Sequence, residues 1–119
     1  MAAKVEVVHP SLLIRIREAY RTGMTAVELY DATRASWRLG PRREAVQFAM
    51  AVNDGIVVEV YEVDDWHPAG HARWAFTGHV ADDGVADRYR GRSVAHYFKR
   101  GAQNPIKYAG LETGDSPEG

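Results

Sequence analysis

The sequence predicts an α+β fold in which N-terminal helices flank a mixed or antiparallel sheet. Three observations carry that expectation. Ala45 to Val63 holds two strand-forming runs separated by Asn53-Asp54-Gly55, and Asp-Gly accepts the positive φ of a tight hairpin turn. Arg73 to Val80 repeats a strand pattern, with Trp74 and Phe76 on one face. Ahead of the hairpin, Thr25-Ala26-Val27-Glu28 is a capping box, in which hydroxyl and carboxylate satisfy amides at a helix start.

Taken in order, Lys4 to Val8 is expected as a short first strand. Pro10 suits the start of a helix, and Leu12, Leu13, Ile16, Ala19 and Tyr20 recur at helical spacing. Arg15, Arg17, Glu18 and Arg21 fall largely on its other side, and Gly23 ends it. The second helix is expected to run from the capping box to about Leu39 and stop at Gly40-Pro41, with Leu29, Tyr30, Thr33 and Trp37 on one stripe. In the hairpin, Val46, Phe48, Met50 and Val52 alternate with smaller residues. Ile56 to Val63 is β-branched or aromatic at nearly every position, as suits a strand covered on both faces. Plain alternation places Glu59 with Val57 and Tyr61, and Glu62 with Val60. Asp64 to His71 is expected as a loop, because Pro68 and Gly70 punctuate it. Asp82-Asp83-Gly84 is expected to cap a short helix from about Val85 to Tyr89, broken at Gly91. Ser93 to Lys99 leaves its type open, Gly101 to Pro105 turns, and Ile106 to Tyr108 closes the sheet. One domain over residues 1–110 is expected, followed by a flexible acidic tail over 111–119.

The composition is that of a globular chain: 45% hydrophobic and 26% charged residues over 119 positions. No apolar run approaches the roughly 20 residues that cross a bilayer, and no h-region follows Met1-Ala2-Ala3-Lys4. A cytoplasmic protein with no membrane partner is therefore expected. The absence of cysteine excludes disulfides, thiolate zinc sites and a cysteine nucleophile. The net charge of −1 is nearly neutral, but the charges are segregated. Glu44 to Asp65 carries six acids and no base, whereas Arg88 to Lys107 carries six bases and no acid. Arg34, Arg38, Arg42 and Arg43 form a second basic group ahead of the hairpin. Such a division gives a polar molecule with one cationic side.

The segment Arg88 to Lys99, with Arg100, interleaves bases with Tyr89, Tyr97 and Phe98. Phosphates need fixed cations, exposed bases need flat π surfaces, and arginine supplies both a bidentate fork and a stacking plane. The same pattern also suits a core of Tyr89, Tyr97 and Phe98 with a solvated arginine rim. Gln103-Asn104-Pro105 either presents an amide to a base edge or builds a turn. Of the tryptophans, Trp74 reads as core, Trp66 as the best pocket wall, and Trp37 as intermediate. Asp64, Asp65, His67, His71 and His79 carry ligand chemistry without a recognised metal spacing, so no metal is expected. Ser93 lacks a nucleophile elbow, and no glycine-rich phosphate loop occurs.

Tyr30 to Arg34 with Trp37, then Asp54 to Val63 with Trp66, then Arg73 to Gly78, then Gly101 to Tyr108 form a layout that resembles a group of small bacterial proteins. More broadly it resembles the PUA-like superfamily with its ASCH and EVE branches. The resemblance implies a small mixed or antiparallel β-barrel with flanking helices that binds RNA or modified DNA bases. Some ASCH-type members hydrolyse modified nucleosides through lysine, threonine and glutamate. Thr33 and Glu59 are candidates here, but neither Lys99 nor Lys107 sits in a matching context.

The expectation is a non-catalytic nucleic-acid-binding module that needs no cofactor, reading a modified or extruded base in an aromatic pocket with a basic rim. Arg34, Arg38, Arg90, Arg92, Lys99 and Arg100 would hold phosphates. Trp66 with Trp37 or Tyr97 would stack on a base, and Asn104 would offer its amide. Two alternatives stand beside it: a small hydrolase acting on a nucleoside-like ligand, and a homodimeric scaffold joining acidic to basic surfaces.

Overall fold

A computed structural model describes residues 2–16, 23–99, 101 and 104–111. The expectations for residues 17–22, Arg100, Gln103 and the tail from 112 lie outside them. The described elements are β1 (Ser11–Arg15), α1 (Ala26–Arg34), β2 (Trp37–Arg38), a 3-10 turn (Pro41–Ala45), β3 (Phe48–Asn53), β4 (Ile56–Pro68), β5 (Arg73–Val80), α2 (Asp83–Tyr89), a second 3-10 turn (Ala95–Tyr97) and β6 (Ile106–Ala109).

The strands form one sheet in the order β2-β5-β4-β3-β1-β6. β1 runs parallel to β3, and every other pairing is antiparallel. Two apolar layers, one on each face, hold it. Along β1 and β3 the side chains alternate strictly: Leu13, Phe48, Met50 and Val52 enter one cluster, while Leu12, Ile14, Ala49 and Ala51 enter the other. The first cluster is covered by Ala86 and Tyr89 of α2, with Val7 and Val94. The second also takes Tyr61 and Phe76, with Trp37 of β2 and Ile106 and Tyr108 of β6 packed against it. Because the two outermost strands share one apolar cluster, the sheet curls until it nearly closes. The result is an α+β fold: a six-stranded, mostly antiparallel, nearly closed barrel with two flanking α-helices.

The hairpin forms as expected. Asp54 and Gly55 have φ of 56° and 79°, the two positive values of a type I′ turn. Gly55 is also required by space, since a Cβ there would lie 2.9 Å from that of Ala95. The capping box of α1 is complete: Glu28 N–H donates to the Thr25 hydroxyl at 3.1 Å, and Thr25 N–H to the Glu28 carboxylate at 3.0 Å.

Several expectations are corrected. Ser11 to Ile16 is not helical. Leu12, Leu13 and Ile14 are all fully buried, because β1 lies between two strands with both faces covered, where an unbroken apolar run replaces alternation. Lys4 to Val8 is not a sheet strand: Lys4 makes an isolated bridge to Ser93. α1 ends at Arg34 rather than near Leu39, because the extended Ala35 releases Trp37 and Arg38 to pair with Trp74 and Arg73. β4 continues through Asp64 to Pro68, so Trp66 is a strand residue opposite Phe76 and not part of a loop. Only Ala69 to Ala72 remains between β4 and β5, since Pro68 ends the strand instead of breaking its middle. A register shift between Ala51 and Val52 also defeats simple alternation in β4: Val57 and Val60 share one cluster while Tyr61 enters the other. Asp82 precedes α2 without a side-chain cap bond.

Candidate functional site

The open line between the outermost strands is where cations and aromatic rings converge. The Pro41–Ala45 turn spans it. Arg42 reaches towards β6 and lies over the Tyr108 ring, 4.5 Å from its centroid. Arg43 lies over the Trp74 ring of β5 at 3.4 Å. Consecutive residues thus hold the border strand β6 and the strand next to β2, through cation–π contacts worth roughly 0.5–2 kcal/mol each. Arg43 also donates to the Gly40 carbonyl at 2.9 Å and pairs with the exposed Glu44 at 3.4 Å.

One ladder step from the Trp37–Trp74 pair, Arg38 stands directly opposite Arg73, and both are exposed. Like charges in that relation repel, so the arrangement favours an anion nearby. On the β6 side a cavity of about 330 Å³ is lined by Arg42, Asn104, Ile106, Lys107 and Tyr108. Among the described residues its wall has two cations and no carboxylate. Neither Arg42 nor Lys107 has an ion-pair partner among the described residues. The Tyr108 hydroxyl is buried without a hydrogen-bond partner among them. Burial pushes its pKa up, and Arg42 and Arg43 oppose that by stabilising the phenolate.

The residues singled out from the sequence divide between the two faces of the sheet. Trp37 and Trp66 pack on the interior cluster, and Tyr97 packs on the other. Trp37 donates its indole N–H to the Thr33 carbonyl at 2.8 Å. Trp66 meets Phe76 edge-on at 5.6 Å, its indole nitrogen buried without a partner among the described residues. Arg34 donates to the Phe76 carbonyl at 2.9 Å, while Gly78 N–H donates to the Tyr30 hydroxyl at 2.9 Å. Side chains of α1 therefore satisfy β5 main-chain groups where no neighbouring strand does so.

The Arg90 guanidinium is occupied by Glu59 at 2.7 Å and Asp87 at 2.9 Å. Arg92 and Lys99 are exposed. The Tyr97 hydroxyl accepts from Val7 N–H at 2.9 Å. Asn104 builds its turn, its side-chain oxygen accepting from Ile106 N–H at 3.2 Å, and it also lines the cleft. Arg38 and Asn104 are thus the two singled-out residues that the structure places at the seam. Trp37 adjoins it from inside, and the segment from Arg88 to Lys99 packs elsewhere. Thr33 is buried with its hydroxyl donating to Leu29, and Glu59 is bound to Arg90, so no trio forms with a lysine.

The sequence reading gave Arg42 and Arg43 a place only in a basic group, and Arg73, Ile106 and Tyr108 only in strands. Their convergence depends on β1 carrying β6 around towards β2, which a helical reading of β1 conceals. Comparisons of the chain with family models, with curated proteins and with solved structures find no match.

Proposed function

We propose that this protein is a non-catalytic module that binds single-stranded nucleic acid along the seam between β2 and β6. The observation that carries the reading is the cleft walled by Arg42, Lys107, Asn104 and Tyr108, with no carboxylate among its described lining residues. Arg38 and Arg73 add an exposed cationic pair on β2 and β5, and Arg42 offers a flat guanidinium already held against a ring. Strand phosphates would be met by Arg38, Arg42, Arg73 and Lys107, and a base would stack on the outer plane of Arg42. The PUA-like resemblance supports this reading by analogy of layout. Trp37, Trp66 and Arg34 serve the barrel and the β5 border in it, so any base is read at the seam and not in the interior.

The test is binding of a labelled single-stranded oligonucleotide to seam variants and to variants of the other basic segment. Arg73→Ala and Lys107→Ala are expected to weaken binding several-fold at low salt, whereas Arg92→Ala and Lys99→Ala leave it nearly unchanged. The reverse ranking would return the site to the Arg88–Lys99 segment. An absence of binding at low salt would end the reading.

A further inference from the structure

We propose that the cleft beside β6 is an end-binding site, taking the terminal phosphate monoester of a strand, with its nucleotide, in preference to an internal phosphodiester. This rests on the nucleic-acid reading above and narrows it. Charge is the first reason. Arg42 and Lys107 bring two positive charges to one wall, with no carboxylate among the described lining residues. An internal diester carries one negative charge, but a terminal monoester carries about 1.5 to 2 near neutral pH. Two unpaired cations are matched by the second.

Size is the next reason. A cavity of about 330 Å³ is at the lower end of the roughly 300–1,000 Å³ seen for small-ligand sites, which suits one nucleotide unit and not a run of them. The main chain adds a donor. Leu13 pairs with Lys107 in an antiparallel register, and Arg15 N–H donates to the Pro105 carbonyl at 2.7 Å. Main-chain groups alternate along an antiparallel strand, so those of Pro105 and Lys107 turn towards β1 while those of Ile106 and Tyr108 turn towards the open border. Ile106 N–H is taken by Asn104, which leaves Tyr108 N–H directed there. Main-chain N–H groups are ordinary phosphate ligands. Asn104 lines the same cleft, and its amide NH₂ has no hydrogen bond among the described residues.

The experiment compares one short single-stranded oligonucleotide in four forms: 5′-phosphorylated, 3′-phosphorylated, hydroxyl at both ends, and covalently circular. One phosphorylated form is expected to bind about tenfold tighter than the hydroxyl-ended form. Arg42→Ala and Lys107→Ala should each remove that preference. Arg42 also packs on Tyr108, so Lys107→Ala, at an exposed position, decides the matter should the first variant fold poorly. Equal affinity for all four forms overturns the end-binding proposal and leaves the strand reading intact. If no strand binds, yet a nucleoside monophosphate shifts the Lys107 and Tyr108 amide resonances, the strand reading falls and the phosphate site stands. No binding and no shift overturn both.

Discussion

Two tyrosines show how differently a buried hydroxyl acts according to its partners. Tyr89 is fully buried, and its hydroxyl accepts from Val8 N–H at 3.1 Å and lies 2.6 Å from His9 Nδ1. Tyr89→Phe strands those groups and is expected to cost about 1–3 kcal/mol in denaturant unfolding. The Tyr108 hydroxyl has no partner among the described residues, so Tyr108→Phe is expected to leave stability within about 0.5 kcal/mol of the parent. Equal losses in both variants would contradict this difference. His79 provides a pH test. Its hydrogen bond to Asp64, aided by the charges of Asp64 and Glu62, raises its pKa above the usual 6.5. A raised folded-state pKa means the protonated form is favoured on folding. The contribution is therefore fully present below pH 6.5 and is lost as pH rises through the higher folded value. Relative to His79→Gln, the parent should be more stable in acid and equally stable well into the alkaline range, as read by urea midpoints at each pH.

Among the elements, β5 shows what holds a strand that its outer neighbour, the two-residue β2, covers only at Arg73 and Trp74. α1 reaches it through Arg34 and Tyr30, which bond to the Phe76 carbonyl and to Gly78 N–H. Gly78 itself sits where β4 shifts register, and a Cβ there would run into the Glu62 carbonyl. Main chain cannot give way as a flexible side chain does, so Gly78→Ala is expected to destabilise by about 1–3 kcal/mol. A thermal midpoint unchanged by it would contradict that packing. Thr25→Ala should cost about 0.5–1 kcal/mol through loss of the cap. Local chemistry makes several elements legible: the Asp54-Gly55 turn, the Thr25–Glu28 cap and the strand Arg73–Val80 form as expected, and the strand expected over Ile106–Tyr108 forms with Ala109 added. β1 is not legible as a strand because Leu12-Leu13-Ile14 is apolar on both sides, and such a run fits either a buried strand or part of a helix. β4 reads as shorter than it is because Pro68 and Gly70 punctuate the Asp64–His71 stretch, whereas Pro68 only ends the strand. A second register shift, between Val63 and Asp65, leaves both carboxylates exposed without ending the strand.

At the scale of the molecule, segregated charge was legible, but the face that would use it was not. The Arg88–Lys107 run appears continuous in sequence, yet Arg90 is neutralised by Glu59 and Asp87 while Lys107 lines the seam. The group ahead of the hairpin supplies Arg38 and Arg42 to that seam, and β5 adds Arg73. Only the near-closure of the sheet brings these segments to one border. The most direct test is the slope of log affinity against log salt for a single-stranded oligonucleotide. Four seam cations, Arg38, Arg42, Arg73 and Lys107, predict a slope of about −3, becoming shallower by about 0.7 on removal of Arg73 or Lys107. A slope near zero, or one that those substitutions leave unchanged, would contradict nucleic-acid binding at the seam.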